Sequence, residues 1–432
     1  MKFKHLLLTA SVMALFSSCS NDELVSENTS HGDAIAFSVT TNNATRAADY
    51  WCNSKLPNNF AVSAAYCDGT NTAFYFKDDV FKKDGEAGNY VTNDGNYRYW
   101  PELPATTPES ISKYVNIYAY KTKVDAAATG DGFAKFEWNS ATDAPTISME
   151  PAKAAADQHD LLYAYTQVTA KPAYGDKTAI NFRHALSQIV FYAKCENEKI
   201  QVDIEEVALY NAAKSGTFTL PTGDNVTDKN LEKHDQTGVF ETEHKGFGTW
   251  ALEYGATAEN KAYRAYTASC AKALSPGVTT WTNLTDNTNE TDDTHTAITQ
   301  SLLVLPQTNY GAGKADNHLA AYVPASGSLK TQGGACIAIK CKIRNIAGAT
   351  VVPEDVYLWG SAGEAKDLVV PVDFTWEQGK KYIYRINFSK LGHGGYNPED
   401  GHEVLVPIQL SVKVDDFAEV TDIEKTADGD DI

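Results

Sequence analysis

Apolar and polar residues alternate along this chain in many short runs. Near the start, Ile35, Phe37 and Val39 are separated by small and polar residues, and this period of two is typical of a short strand with one buried face. No segment keeps apolar residues at positions i, i+3, i+4 and i+7, so we expect few and short helices. Further strands are predicted at residues 97–100, 114–120, 161–165, 189–195, 207–210, 302–305, 337–343, 382–388 and 404–414.

Two of these runs have a distinctive pattern. In residues 114–120, aliphatic residues occupy one face and tyrosines the other. In residues 404–414, every second residue is a branched aliphatic, and eleven residues extend over about 36 Å. Pro407 lies on the other face of this run and suits an edge or inserted strand, because proline cannot donate a hydrogen bond to a sheet. Many short strands with turn-rich connections predict an all-β fold of antiparallel β-sandwiches.

The length of 432 residues allows two or three domains. We expect a division near Thr178, with an N-terminal β-sandwich at residues 47–177 and a C-terminal β-sandwich at residues 178–432. Two long polar stretches, residues 221–247 and 282–299, lack strand patterning and are expected to be surface loops.

Residues 1–18 have the features of a secretory signal peptide. Two lysines precede a short apolar run, and two serines lead directly into Cys19. This arrangement resembles a bacterial lipobox, which implies acylation of Cys19; the alternative is ordinary cleavage beside an incidental cysteine. Residues 20–33 read as a polar, acidic tether, and residues 20–23 resemble the surface-export tags of Bacteroidetes lipoproteins.

Composition excludes one class of partner and offers little catalytic chemistry. The chain has 37 basic and 56 acidic residues and a net charge of -19, so a role in nucleic-acid binding is discarded because phosphate contacts need an excess of Lys and Arg. Motifs of metalloproteases, α/β-hydrolases and P-loop enzymes are missing from the sequence. We therefore expect a non-enzyme without catalytic residues, metal or cofactor. Asp157, His159 and Asp160 lie close together, but a solvated loop explains them better than a metal site.

The cysteines suggest no fixed framework. None forms a CxxC pair. Cys336 and Cys341 are five positions apart in a predicted strand, which places them on opposite faces and argues against a bond between them. Pairing of Cys52 with Cys67 stays open, since an exported protein can carry disulfides without requiring them.

An ordered set of short motifs resembles the fimbrillin-like family of Bacteroidales, the subunits of type V fimbriae. The motifs are Tyr-Trp-Pro at 99–101, VNIYAY at 115–120, DLLYA at 160–164, INFRHALS at 180–187, LVLPQ at 303–307, and Trp376, Gly379, Lys380 and Tyr382. The resemblance implies two transthyretin-like β-sandwich domains, export as a lipoprotein, and assembly by strand exchange after an arginine-specific protease removes the N-terminal strand.

On this resemblance, residues 19–46 are a lipidated tether and strand that are removed by cleavage between Arg46 and Ala47. Arg46 is the only Lys or Arg between Cys19 and Lys55, in a stretch of small residues that should be exposed and cleavable. The exported protein would be held at the outer membrane by the lipid before processing, and would then join other subunits head to tail in a surface fimbrium that serves cell adhesion. The predicted strand-exchange residues are Ile35, Phe37 and Val39 in the removed strand and Val404, Val406, Ile408, Leu410, Val412 and Val414 in the donor.

Two alternatives remain at this point. Residues 404–414 could be an ordinary internal strand of the second domain. The whole protein could instead be a monomeric surface lipoprotein that binds glycans, with sugars stacking on Trp51, Trp138, Trp250 or Trp281. The sequence identifies no receptor and does not separate a stalk, tip or anchor role.

Overall fold

The structure is a computed structural model that describes twelve segments of the chain. These are residues 33–41, 57–84, 89–92, 96–122, 132–222, 247–252, 263–285, 301–309, 336–346, 356–372, 374–399 and 402–416. They contain twenty-three strands and one 3-10 helix, η1 (Ala155–Asp157). The prediction of an all-β fold with little helix is confirmed.

Seven strands close into a barrel near the N-terminus. In barrel order they are β1 (Phe37–Thr41), β4 (Asn89–Thr92), β3 (Thr72–Asp84), β2 (Asn59–Cys67), β5 (Tyr114–Lys121), β8 (Leu162–Val168) and β9 (Thr178–His184). Neighbouring strands run antiparallel except β1 and β9, which are parallel and close the barrel. The interior combines aliphatic side chains with six aromatic ones, which are Phe37, Phe60, Phe76, Phe81, Tyr90 and Phe182.

A four-stranded sheet packs against the outer face of the barrel. It consists of β6 (Phe133–Glu137), β7 (Thr146–Glu150), β12 (Gly216–Thr219) and β13 (Thr249–Leu252). Both predicted faces of residues 114–120 are confirmed, because Val115 and Ile117 point into the barrel while Tyr118 and Tyr120 pack under this sheet. The tyrosine face is therefore a second core.

The remaining strands belong mainly to one large sheet of ten strands. Seven form the path β14 (Tyr263–Leu274), β11 (Ile200–Ala213), β18 (Cys336–Asn345), β20 (Lys366–Pro371), β22 (Lys380–Tyr396), β10 (Ser187–Cys195) and β15 (Val278–Asn283). Off this path, β16 (Leu302–Val304) pairs with β10, β19 (Tyr357–Trp359) with β18, and β23 (Glu403–Asp416) with β22. Two short strands, β17 (Gln307–Asn309) and β21 (Phe374–Trp376), pair with each other.

This large sheet folds over one apolar core in a sandwich-like arrangement. Strands far apart along the sheet contribute to the same cluster, for example Phe191 of β10, Val207 of β11, Ile339 of β18 and Ile386 of β22. The long strand β22 bends at a register irregularity between Phe388 and His393. Its first half pairs in parallel with β10, and Tyr396 near its end pairs with β20.

The predicted strand at residues 97–100 is wrong. The structure has one isolated bridge there, between Ala34 and Tyr99. The segment is held by other contacts instead: Arg98 accepts a hydrogen bond from the Ile35 N–H through its carbonyl, at 2.6 Å, and its guanidinium pairs with Asp79. A single bridge and a side-chain ion pair fix the segment without a ladder.

The division near Thr178 stays a prediction. Two features of the sheets cross it: β9, which starts at Thr178, completes the barrel, and β12 pairs with β7 in the outer sheet. Of the two predicted surface loops, residues 223–246 and 286–300 lie outside the described residues, while Thr282 and Asn283 form the end of β15.

Candidate functional site

The strand β1 occupies the closing position of the barrel. Phe37 through Thr41 pair in parallel with Thr178 through Phe182 of β9, and Phe37 and Ser38 pair with Tyr90 and Asn89 of β4. Just before the strand, the Ala36 carbonyl accepts a hydrogen bond from the Thr178 N–H at 2.9 Å. Without β1, strands β4 and β9 would present unpaired backbone groups along an open groove.

The side chains of β1 reach deep into the barrel. Ile35, Phe37 and Val39 are all buried, as predicted. The Phe37 ring meets Phe81 edge-on, with ring centroids 4.8 Å apart, and lies 6.3 Å from the Phe60 ring. At about 1.5–3 kcal/mol for each buried side chain, the three residues contribute roughly 4.5–9 kcal/mol before the cost of ordering the strand.

The pocket around Phe37 depends on residues that the sequence pattern does not reveal. Phe76 and Phe81 of β3 both face the barrel interior although they are five positions apart, and a regular strand would place them on opposite faces. Asp78, with a φ of 54°, lies between them and breaks the alternation. Its N–H donates to Ser63 Oγ at 2.9 Å, and its carboxylate accepts from the Tyr120 hydroxyl at 3.0 Å.

The strand β23 has a different environment. Among the described residues, its strand partner is β22, in an antiparallel register that runs from Tyr396 opposite Glu403 to Lys380 opposite Asp416. The strand is therefore an edge strand in the described part of the chain, as Pro407 predicts. The backbones of β22 and β23 approach each other closely at one point, where a Cβ on Gly394 would lie 1.9 Å from the Val404 carbonyl oxygen. Only glycine fits at that position.

The apolar stripe of β23 changes character along the strand. Val404, Val406 and Ile408 are buried in the core of the large sheet, and Leu410 is partly buried against it. Val412 and Val414 are 53% and 50% exposed. The first half of the predicted donor strand is thus core of its own domain, and the second half, Leu410 to Val414, leaves apolar side chains at the surface.

The predicted processing and lipidation residues lie outside the described residues. Cys19, Arg46 and Ala47 belong to this group, and Arg46 follows the end of β1 at Thr41 by five positions along the sequence. Within the described ranges, no helix has the length and apolar character needed to span a bilayer.

The motif at residues 180–187 lies where the barrel meets the large sheet. His184, at the end of β9, contacts Asp160 through Nδ1 and Oδ2 at 2.6 Å, and both side chains are largely buried. Ala185 accepts from Trp250 Nε1 at 2.7 Å, and Ser187 Oγ donates to the Glu377 carbonyl at 2.8 Å. These contacts fix the segment between β9 and β10 to the barrel, to the outer sheet and to the chain just before β22.

The model of the fimbrillin-like family matches residues 25–412. The chain belongs to the fimbrillin-like family.

Solved structures that match this fimbrillin-like chain over most of its length share little sequence with it. A candidate cell adhesion protein from Bacteroides ovatus is 13% identical, with a TM-score of 0.43, and the match covers 90% of this chain and 99% of that one. A second, from Bacteroides uniformis, is 14% identical with a TM-score of 0.40 and coverages of 89% and 98%. A third, from Parabacteroides distasonis, is 10% identical with a TM-score of 0.39 and coverages of 89% and 97%. No curated protein matches the chain.

The tryptophans proposed for sugar stacking have different roles in this fimbrillin-like fold. Trp138 is buried and donates through Nε1 to the Asp143 carbonyl at 2.9 Å. Trp250 of β13 packs against the core beneath the outer sheet, and its Nε1 donates a hydrogen bond to the Ala185 carbonyl. Trp281 is partly exposed and lies beside Lys194 and Arg385, while Trp51 lies outside the described residues. Among the described tryptophans of this set, Trp281 is thus the one with cationic side chains over its ring.

Metal and thiol chemistry add nothing to the site. Among the described residues, no group of three or more His, Cys, Asp or Glu could hold a metal ion. The five described cysteines are free. Cys341 faces the main core and Cys336 the opposite side of β18, which confirms the prediction from their spacing. Burial raises the pKa of Cys336 to about 12, so this thiol is protonated and unreactive in the folded protein.

Proposed function

We propose that this fimbrillin-like protein is a structural or tip subunit of a cell-surface type V fimbrium that serves adhesion and is assembled by proteolysis-triggered exchange of β-strands. The observation that carries the proposal is the position of β1, which closes the barrel and is the first of the described strands in the chain. A cut after it can remove it without interrupting any other strand that the structure describes. Acylation of Cys19 and attachment to the outer membrane before the cut belong to the same proposal.

The energies of β1 explain why a cut would release it. While β1 is covalently attached, its roughly 4.5–9 kcal/mol of gross burial is offset only by the cost of ordering a few residues. After cleavage at Arg46 the same strand is a separate peptide, and association of two molecules costs about 4–15 kcal/mol. The two quantities are of similar size, so the cut fragment is held only reversibly, and another alternating segment can replace it in the groove between β4 and β9.

The second half of β23 is the donor segment in this proposal. Leu410, Val412 and Val414 repeat the alternate spacing of Ile35, Phe37 and Val39, and the last two are half exposed. The first half would have to leave its own core to be donated. The donor therefore offers three apolar residues rather than six, the same number as the removed strand. Exchange thus depends on the removal of β1 and not on a larger apolar area buried by the donor. Because groove and donor lie on different surfaces, the contact is head to tail and propagates as a fibre.

The test is cleavage of the purified chain with an arginine-specific protease. We expect the cut protein to begin at Ala47, to lose the β1 fragment and to form a ladder of oligomers on gel filtration and on gels of unheated samples. Arg46→Ala should stay uncut and monomeric. Val412→Asp with Val414→Asp should be cut normally but fail to form the ladder, because two carboxylates cannot enter an apolar groove.

Two results would overturn the proposal. One is a cut protein that stays monomeric with the β1 fragment still bound. The other is a ladder of unchanged length in the doubly substituted protein.

A further inference from the structure

A basic and aromatic cluster lies on the face of β10 and β22 that points away from the core. Lys194 and Arg385 lie beside Trp281 of β15, with Lys194 Nζ 4.4 Å and Arg385 Cζ 5.5 Å from the ring centroid. Their neighbours in sequence, Ala193 and Ile386, belong to the core of the large sheet. The three side chains of the cluster therefore contribute nothing to the apolar packing beneath them.

Polar atoms in this cluster are buried without partners. In the described part of the chain, Nε and Nη2 of Arg385 have no hydrogen-bond acceptor, and Oδ1 of Asn387 has no donor. The orientation of the Asn387 side chain is fixed by its amide nitrogen: Nδ2 donates to Glu196 Oε2 at 2.9 Å and to Gln409 Oε1 at 3.3 Å. Buried guanidinium nitrogens without an acceptor are costly for folding, and the cost is removed when a ligand supplies the missing acceptor.

The acid nearest to the cluster is already engaged. Glu196 Oε1 lies 2.6 Å from Lys194 Nζ, and the hydrogen bonds from Lys194 and Asn387 hold the pKa of Glu196 below its usual range. Glu196 thus neutralises Lys194 rather than Arg385. In a chain with a net charge of -19, this leaves an uncompensated local positive charge on Arg385.

On the side of β23 the residues beside the cluster are exposed, and the Arg385 side chain is partly exposed although its Nε and Nη2 are covered. Ser411 lies opposite Arg385, and Gln409 lies opposite Asn387 in the β22–β23 ladder. Both Ser411 and Gln409 are exposed. A ligand approaching from this side would meet a hydroxyl and an amide beside the partly exposed Arg385 side chain, and it would reach Nε and Nη2 when that side chain turns outward.

We infer that this cluster binds the carboxylate of an acidic sugar. Arg385 donates two hydrogen bonds to the carboxylate, and Asn387 Oδ1 accepts from a neighbouring hydroxyl of the same sugar. The combination of donors for an anion with an acceptor for a hydroxyl fits a polyhydroxylated acid better than a simple anion. The site would supply an adhesive ligand for the proposed fimbrial subunit, but binding itself does not depend on cleavage or polymerisation.

The test is calorimetric titration of the uncut chain, starting at Ser20, with trigalacturonate. Galactotriose, the neutral counterpart, and a sulfated trisaccharide serve as comparison ligands. We expect saturable binding of trigalacturonate alone. Arg385→Gln should weaken it about tenfold or more, which is the loss of one charged hydrogen-bonding group. Arg344→Gln is the matched control, because Arg344 of β18 also has a buried Nε without an acceptor, but it pairs with Asp203 at 3.5 Å and lies two strands away from β22 in the sheet; the titration of this variant should be unchanged.

A second variant separates loss of binding from loss of folding, because it should block the site without destabilising the protein. Ser411→Glu places a carboxylate opposite Arg385 at an exposed position, where it should occupy the guanidinium. We expect it to block trigalacturonate at least about tenfold and to raise the thermal unfolding midpoint. The inference is overturned if the parent chain binds no trigalacturonate, if only the sulfated sugar binds, or if both variants bind as the parent does. None of these results affects the cleavage-dependent ladder, which is measured without sugar.

Discussion

The two terminal strands of this protein are alternating apolar strands of the same kind, yet they are held in opposite ways. β1 is bonded on both sides, and its apolar side chains Phe37 and Val39 are buried together with Ile35 just before the strand. β23 is bonded to β22, and its apolar stripe passes from the core to the surface within eleven residues. The alternation in the sequence does not tell these environments apart, because it reports which side chains share a face and not what covers that face.

The comparison indicates which strand the fold needs. β1 supplies a wall of a closed barrel, whereas the second half of β23 adds an edge to a sheet that is already packed. Loss of β1 opens an apolar groove between β4 and β9, and the exposed apolar end of β23 has the alternation that fits such a groove. The following experiments test this contrast.

The largest effect is expected from deleting each strand in turn. A chain that starts at Asn42, directly after β1, loses roughly 4.5–9 kcal/mol of gross burial, which is comparable to the total stability of about 5–15 kcal/mol of a typical domain. We expect this protein to be unfolded or oligomeric. A chain that ends at Gln409 should remain folded and monomeric, because the removed stripe is mostly exposed. Circular dichroism on heating and gel filtration measure both. Equal loss of stability in the two proteins would contradict the contrast.

Single substitutions sharpen the comparison between the strands. Phe37→Ala removes a ring packed against Phe81 and should lower the free energy of unfolding by about 3–5 kcal/mol. Val412→Ala, at an exposed position of β23, should change it by less than about 0.5 kcal/mol. Urea unfolding followed by tryptophan fluorescence measures the difference. A loss above about 2 kcal/mol for Val412→Ala would mean that this side chain is covered in solution.

The gradient inside β23 gives a smaller difference within one strand. Ile408→Ala should destabilise the protein by about 2–5 kcal/mol, because Ile408 lies in the core of the large sheet. Val414→Ala, six positions later on the same face, should be neutral within about 0.5 kcal/mol. The same urea titrations apply. Similar losses at both positions would show that the whole stripe is core, which is the ordinary internal strand considered from the sequence.

The sequence predicted several strands whose alternation is regular and missed β3, in which the alternation is interrupted. Short strands such as β6 and β7 were also missed. The faces predicted for β5 and β23, and for the two cysteines of β18, are correct. β3 was not predicted, since Asp78 shifts the inward positions from Phe76 to Phe81. The long strand β22 was predicted only up to its irregularity after Phe388. Local pattern cannot indicate a bulge that is fixed by contacts with Ser63 and Tyr120 on other strands.

The candidate site was predicted to a similar extent. Ile35, Phe37 and Val39 were identified correctly as one buried face, and the six donor residues do share a face. Their division into a buried and an exposed half could not be predicted, because it depends on where the core beneath β22 and β23 ends. Arg385 was missed entirely, since its unpaired guanidinium follows from neighbours on three other strands.

The smallest effect concerns the charges beside β1. Lys171 Nζ lies 3.6 Å from Asp33 Oδ1, and the two side chains are 42% and 54% exposed. An exposed pair of this kind contributes about 0.2–1 kcal/mol, and added salt screens it. Lys171→Ala should therefore destabilise the protein slightly at low salt and hardly at all at high salt, with Lys113→Ala, which breaks an exposed pair with Glu102 away from β1, as the control. If Lys171→Ala cost as much as Phe37→Ala, charge rather than burial would hold β1 in the barrel, and its release would then depend on salt rather than on a cut.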